Sequence, residues 1–579
     1  MDLISKIFLL AGVMINPVLY AQNPVQKTSL PSNYTAPTDI PIFLSGNYGE
    51  VRSAHFHTGI DIKTEQVEGK NVLAANKGYI YRIVVQTGGY GKALYLKHDN
   101  GQVTVYAHLR QFIPAVENYV REEQYSRRSF EVDLYPPSDR FVFNKGELIG
   151  LSGNTGNSAG PHLHFEIRSR FSVPLNALKY GFDIVDKTSP RIKWLAVYPL
   201  SQQSTVNGSD KKLLIPVARK NRNHYITPDT IRVSGSIGFG IETYDFLDNS
   251  PNECSPYAIS LKLDEKKLFS CYIDSIPFSQ GSYVNSYIDY EEKMKSGRNI
   301  QKLFLDPNNK LGIYKVAVNR GILQLHDTLQ HAVRVTVGDA YGNESALLFS
   351  IKSTDRLFPP ENELLNPNFQ AIFRYDALNV FEHENIRVVV PRDALFDNIE
   401  FQYAEIKNDS CKWSLIHQVH NEYTPLFKSY ILSIRPLGLP AYLQGKALIA
   451  SQAQHGEWVS KGGEYQNGFV TTKVNTFGRF FIAVDTLDPV IIPVSFKADN
   501  RYAKGQPLTF QIKDTQSGIR KYNGYIDKKW ALFEYDAKND LLTYTIDENR
   551  LQKDRSHLLE IIVTDNKDNV AKFRGEFFY

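Results

Sequence analysis

The chain has 579 residues, too many for one hydrophobic core, and domain-size scaling divides it into roughly three to five units. Its 42% hydrophobic and 22% charged residues exclude a disordered polymer, and a formal net charge of +4 gives no reason to expect nucleic-acid binding. A sequence pI near 8.5 does not oppose an anionic polymeric partner such as a cell wall.

In chain order, Lys6 and the apolar stretch Ile7 to Tyr20, broken at Gly12, Asn16 and Pro17, read as an export signal over 1–21, with Ala21 at the cleavage point. The competing reading is a membrane anchor, but the run falls short of the ~20 apolar residues that a spanning helix needs. No cysteine stands near to carry a lipid and no second spanning candidate follows, so no stable membrane insertion is expected after cleavage. Residues 22–38 are polar and proline-containing, a linker. Over 39–185, Val72 to Val85, Ala93 to His98 and Val103 to His108 predict strands joined by glycine-bearing turns, with His98 and Asp99-Asn100-Gly101 at a hairpin. Ala115 to Arg128 predicts a helix with Val116, Tyr119 and Val120 on one face, inside an insertion that would form one wall of a substrate groove.

Further along, 34 Tyr, 33 Phe, 37 Gly and 28 Pro in the whole chain favour β structure with many turns. Two stretches share signatures. Asp186, Pro190 and Ile192 repeat as Asp485, Pro489 and Ile491 in a D-x-x-x-P-x-I pattern, and Asp339 to Asn343 repeats as Asp565 to Asn569. These predict related immunoglobulin-like β-sandwiches at 186–355, with insertions, and 485–579, flanking a β domain of uncertain type at 356–484. Cys254, Cys271 and Cys411 form no metal motif; Cys254 and Cys271 are either a bridge or two buried thiols.

Three histidine-bearing segments carry the chemistry: His55 to Ile62, Val103 to Leu109 and Gly153 to Ile167. On a strand opening at Gly160-Pro161, His162 and His164 share one face while Leu163, Phe165 and Ile167 pack on the other. One imidazole of that pair can bind a metal and the other can reach a water or substrate atom beside it. His57 and Asp61, joined through Gly59, supply a second imidazole and a carboxylate. Two imidazoles and one carboxylate suit zinc with an open fourth position better than calcium or magnesium. His55 is the rival ligand, because an extended segment puts it on the face of His57. Glu166 is expected as an exposed strand residue, the alternative being a hydrogen-bond acceptor that supports the site, and Arg52 and Lys63 as surface charges.

The segments His57-Thr58-Gly59-Ile60-Asp61, Tyr106-Ala107-His108-Leu109 and Gly160-Pro161-His162-Leu163-His164-Phe165-Glu166-Ile167 together resemble the lysostaphin/LytM-type M23 peptidases over about Ile40 to Ile167. The resemblance implies an antiparallel β peptidase domain at 39–185, one zinc ion held by His57, Asp61 and His164, and His108 and His162 as catalytic histidines. It further implies an exported enzyme, at the periplasm or surface of a bacterium, cutting peptide bonds in peptidoglycan stem peptides or cross-links. The β modules would then position substrate or bind protein partners. A non-catalytic M23-like regulator of a cell-wall amidase and a zinc endopeptidase for protein substrates are the alternatives. Tyr48 is a candidate oxyanion-contacting tyrosine, and Asn33 and Asn47 are candidates for a side chain plugging the zinc.

Overall fold

The computed structural model describes residues 34–579 apart from 249, 355–368, 409–410, 453–456 and 499; the export signal, Asn33 and most of the linker lie outside the described residues. The protein is mainly β, 46% strand and 9% helix.

The N-terminal unit is built on one sheet. Its strands are β1 (Leu44–Gly46), β2 (Ile60–Lys63), β3 (Asn71–Leu73), β4 (Gly78–Val85), β5 (Lys92–His98), β6 (Val103–Leu109), β7 (Gln111–Phe112), β8 (Val132–Leu134), β9 (Val142–Phe143), β10 (Leu148–Leu151) and β11 (His162–Arg168). The main sheet runs β1-β2-β11-β6-β5-β4-β8, and β3, β10 and β7 form a small second sheet. Strand β11, the last of these in the chain, is therefore inserted between β2 and β6, and it pairs antiparallel with both. One face of this sheet meets the main core, where Ile60, Ile62, Tyr106, Leu163, Phe165 and Ile167 are fully buried. The other face carries a smaller apolar patch of Val84, Ala93, Tyr95, Val103, Val105 and Ala107. The hairpin at Asp99-Asn100-Gly101 is as expected, with Gly101 at φ 80°.

Helix α1 (Pro114–Arg127) forms where the sequence predicts it and buries Val116, Val120 and Gln124. Its proline opens the first turn, where the missing N–H would have no partner. The insertion does not line the groove beside the histidines. Instead α1 faces the C-terminal module: Tyr125 packs edge-on against Trp530 at 5.4 Å, and the Arg550 guanidinium lies 4.0 Å from the Tyr125 ring centre.

The remaining sheets are mostly antiparallel. Those between Arg191 and Ser353 enclose a core containing Leu195, Phe239, Leu261 and Val335. In that unit His224–Ile226 and Ile231–Ser234 both pair in parallel with Glu344–Ser353, a departure from an all-antiparallel sandwich. Two five-stranded sheets follow, through Asn379–His383 and Ala447–Gln452. Residues 490–578 form two four-stranded sheets over Leu508, Phe510, Leu542 and Ile561. Cys254 and Cys271 are free, buried thiols in two different cores.

Truncating Phe165 to alanine removes a fully buried ring between β2 and β6 and should lower the N-terminal unit's stability by about 3–5 kcal/mol in urea unfolding. Val142→Ala, on an exposed side chain, should change it by less than about 0.5 kcal/mol.

Candidate metal centre

Pairing β11 with β2 puts His164 directly opposite Asp61 and His162 opposite Lys63. Directly opposed residues of an antiparallel pair share a face, so this register places the His164 imidazole and the Asp61 carboxylate on the face away from the core. His57 reaches the same point from the loop before β2. That loop approaches β11 closely at Gly59, where an added Cβ would lie 2.5 Å from the Phe165 carbonyl oxygen and 2.8 Å from His164 Cε1. Glycine is required there for space, not for an unusual backbone angle.

Alternation along β6 sends His108 the wrong way. His164 pairs with Ala107 and Phe165 with Tyr106, so a regular strand would turn His108 to the core face that Tyr106 occupies. His108 instead adopts φ 60°, in the left-handed region, where the β5–β6 pairing also slips register. The reversal brings its ring to 4.8 Å from that of His162 and 5.9 Å from that of His164.

Three donor atoms converge. His57 Nε2 is 3.0 Å from Asp61 Oδ1 and 3.0 Å from His164 Nδ1, and His164 Nδ1 is 2.9 Å from Asp61 Oδ1. Ligands ~2.1 Å from a tetrahedral ion stand about 3.4 Å apart. The three atoms thus need to spread by only a few tenths of an ångström to hold one. Each ring's other nitrogen is committed as a donor: His57 Nδ1–H to the Asn47 carbonyl at 2.7 Å and His164 Nε2–H to Glu166 Oε1 at 2.9 Å. These bonds fix the tautomers that leave His57 Nε2 and His164 Nδ1 as lone-pair donors toward a common centre. His162 Nε2 lies 3.6 Å from Asp61 Oδ1, and its Nδ1–H donates to the Gly160 carbonyl at 2.8 Å. His108 Nδ1–H donates to the Thr155 carbonyl at 2.8 Å. All five histidine and aspartate residues picked from the sequence are therefore brought together, whereas His55 is exposed at the rim and outside the cluster.

Several supporting residues differ from expectation. Glu166 is fully buried, not exposed: it accepts from His164, from Thr58 Oγ1 at 2.8 Å and from Arg168 Nε at 2.6 Å. Alternation already put 164, 166 and 168 on one face, and that pattern was the signal to follow. Arg52 is not a bystander on the surface; its guanidinium donates to Asp61 Oδ2 at 3.0 Å, leaving Oδ1 for the centre. Lys63 lines the groove and donates to Ser250 Oγ at 3.2 Å. The Tyr48 hydroxyl donates to the Pro174 carbonyl and accepts from the Ile276 N–H, so it cannot serve the site. Tyr90 is the tyrosine in the groove, its ring 5.3 Å from that of His164 and its hydroxyl donating to Glu166. Asn47 does not plug the centre, because its side-chain amide is paired at both ends with Ser255.

The electrostatics follow from this packing. Burial opposes ionisation of Asp61, but His57 and His164 outweigh it and hold the carboxyl well below the usual range. Burial also opposes charge on His164, yet hydrogen bonds to Asp61 and Glu166 raise it to about 9. With no counter-charge so close, His108 is pushed down to about 3 by burial and by its histidine neighbours. His162 is lowered too, chiefly by burial. The centre opens into a groove of about 1010 Å³ whose walls include Tyr90, the loop 157–161 and Ile276 to Phe278 from the following module.

Residues 55–125 match the model of Peptidase family M23, which spans the His57, Asp61 and His108 positions just described. The chain carries a peptidase family M23 domain. That M23 region is 38% identical over 112 residues to the DD-carboxypeptidase/endopeptidase Mpg of Neisseria meningitidis, covering 19% of this chain and 20% of the relative. It is 27% identical over 160 residues to the peptidoglycan DD-endopeptidase ShyA of Vibrio cholerae, covering 27% of this chain and 24% of the relative. The match thus spans only about a quarter or less of either relative's length. Among solved structures, the M23 domain is similar to the catalytic domain of the prophage-encoded M23 protein EnpA from Enterococcus faecalis, at 21% identity and a TM-score of 0.19, covering 25% of this chain and 94% of that one. Separately, residues 370–485, within the middle β region, match the model of a Zu5-like domain.

Replacing Glu166 with glutamine keeps the volume but removes the carboxylate that orients His164. We expect a 10- to 100-fold loss of metal affinity (about that typical of such outer partners), measured by competition with a chromophoric chelator.

Proposed function

We propose that this chain is an exported zinc metalloendopeptidase that hydrolyses peptide bonds in peptidoglycan stem peptides or cross-links. The observation that carries the reading is the convergence of His57 Nε2, Asp61 Oδ1 and His164 Nδ1, with two further imidazoles beside them, at the floor of an open groove. The donor set, two nitrogens and one carboxylate oxygen with committed outer partners, fits zinc. His57, Asp61 and His164 would hold the ion, which would supply Lewis-acid polarisation of the scissile carbonyl and a lowered pKa for bound water.

The chain's own residues do the rest. His108 and His162 are both pushed toward the neutral form, and each has Nδ1–H tied to a backbone carbonyl, so Nε2 is the free base on each ring. His162, half-buried at the mouth of the groove, is placed to take the proton of the attacking water and return it to the leaving amine. His108, buried deeper and also neutral, accepts a hydrogen bond at Nε2 and so orients the attacking water. Arg52 holds Asp61 Oδ2 so that Oδ1 faces the centre, and Glu166 fixes the orientation of the His164 ring.

The activities for which the Mpg and ShyA relatives are named support the substrate assignment, and on that ground we assign the enzyme to a bacterial periplasm or cell surface. We further assign the catalytic domain to 39–185 and separate modules to 186–355, 356–484 and 485–579. Ile276 to Phe278 form a groove wall and give the first of these modules a part in positioning substrate.

Muropeptide mass spectrometry with zinc analysis tests the roles. His162→Ala should keep its zinc and lose about 10²–10⁴-fold in cleavage rate, whereas Asp61→Ala should lose the metal. Wild-type cleavage by His162→Ala contradicts its role, and digestion of casein with muropeptides left intact contradicts the substrate class.

A further inference from the structure

The signatures repeated at 186–343 and 485–569 fall on two sets of three aspartates. Asp186, Asp245 and Asp339 form one, Asp485, Asp514 and Asp565 the other, and in each set one oxygen per residue lies within 4.8 Å of the others. The two sets differ in how their oxygens are satisfied. In the second, Asp485 accepts backbone N–H groups on both oxygens, Asp514 Oδ2 caps Gln516 and Gly518, and Asp565 is held on both oxygens by Lys567 and Asn569. In the first, Asp339 is likewise held by Tyr341 and Asn343, and Asp186 Oδ1 accepts from the Thr188 N–H. However, Asp245 is only 3% exposed and its Oδ1 has no partner, and Asp186 Oδ2 is buried without one as well.

A buried carboxylate oxygen without a donor is costly, and three carboxylates in contact compound the cost unless a cation joins them. Burial, and then the neighbouring carboxylates, push Asp245 well above the usual range and Asp186 up to about 7. Among the described residues, no lysine or arginine is among the charges acting on Asp245. The set offers only hard oxygen donors, unlike the mixed nitrogen and oxygen centre at His57.

We propose that Asp186, Asp245 and Asp339 bind a hard divalent cation of the calcium class at the junction between the M23 domain and the next module. Its position gives the ion a structural task. Asp245 and Cys254 exchange backbone hydrogen bonds at 2.9 Å, and the loop they close sends Leu247 and Cys254 into the core of the M23 domain. Ser255, next in the chain, binds both ends of the Asn47 amide at 2.8 and 3.0 Å, and the Asn47 carbonyl orients His57. Across the cluster, Ala340 and Tyr341 pack on the same core. The ion would thus hold two loops of the second module against the M23 domain beside Asn47, whose carbonyl orients His57, a ligand of the first centre.

The test is calorimetric titration of the zinc-loaded full chain with calcium chloride in calcium-free buffer, together with thermal unfolding with and without calcium. Wild type should bind calcium saturably and unfold at higher temperature in its presence. Asp245→Asn should weaken that binding at least tenfold and abolish the thermal shift, while in calcium-free buffer it unfolds no lower than wild type, because a buried carboxyl with an unpartnered oxygen is replaced by a neutral amide of the same shape. Asp186→Asn, the second variant, should lose the calcium response in the same way. Absence of calcium binding by wild type, or an undiminished calcium response in either folded variant, would overturn the proposal.

Discussion

His164 stands opposite Asp61 across the β2–β11 pair, and that register is the constraint on which the rest of the site depends. A slip by one residue would turn every side chain of β11 over, sending His162, His164 and Glu166 into the core and Leu163, Phe165 and Ile167 into the groove. The apolar alternation of β11 prevents the slip, since those three residues are fully buried on the core side. Stability and chemistry are thereby carried by alternate residues of one strand. The hydrophobic face holds the register, and the register brings the polar face together.

Around this pair the protein adds fixed partners that commit every functional group to one orientation. The Asn47 carbonyl, Glu166, the Thr155 carbonyl and the Gly160 carbonyl each take one ring N–H, so four imidazoles present their remaining nitrogens inward. Arg52 and Arg168 balance the carboxylates of Asp61 and Glu166 from outside. Such a cluster of opposed charges survives burial because each group has both a hydrogen bond and a counter-charge.

The five central residues were legible in the sequence because their chemistry is dense and their spacing on a strand is regular. Alternation was enough for His162, His164 and the inward triplet. It was not enough for His108, whose correct placement depends on a left-handed backbone that no local pattern announces. Long-range partners were equally hidden: Tyr48 and Asn47 sit near the motif in the chain, but contacts with Ile276 and Ser255, more than two hundred residues away, decide what they do. The same reason explains the groove wall. The insertion after His108 was the nearest candidate in sequence, yet helix α1 packs toward Trp530 and the wall comes from Ile276 to Phe278. The repeated aspartate signatures were visible as turn motifs; that Asp245 joins Asp186 and Asp339 was visible only in three dimensions.

The proposed function requires two imidazole nitrogens and one carboxylate oxygen to hold a zinc ion. X-ray absorption at the zinc edge of the purified full chain addresses it directly. The account predicts a first shell of nitrogen and oxygen at ~2.0–2.2 Å with imidazole outer-shell scattering from two rings and no sulfur. A sulfur shell near ~2.3 Å, a shell without imidazole scattering, or a protein that retains no zinc would contradict it.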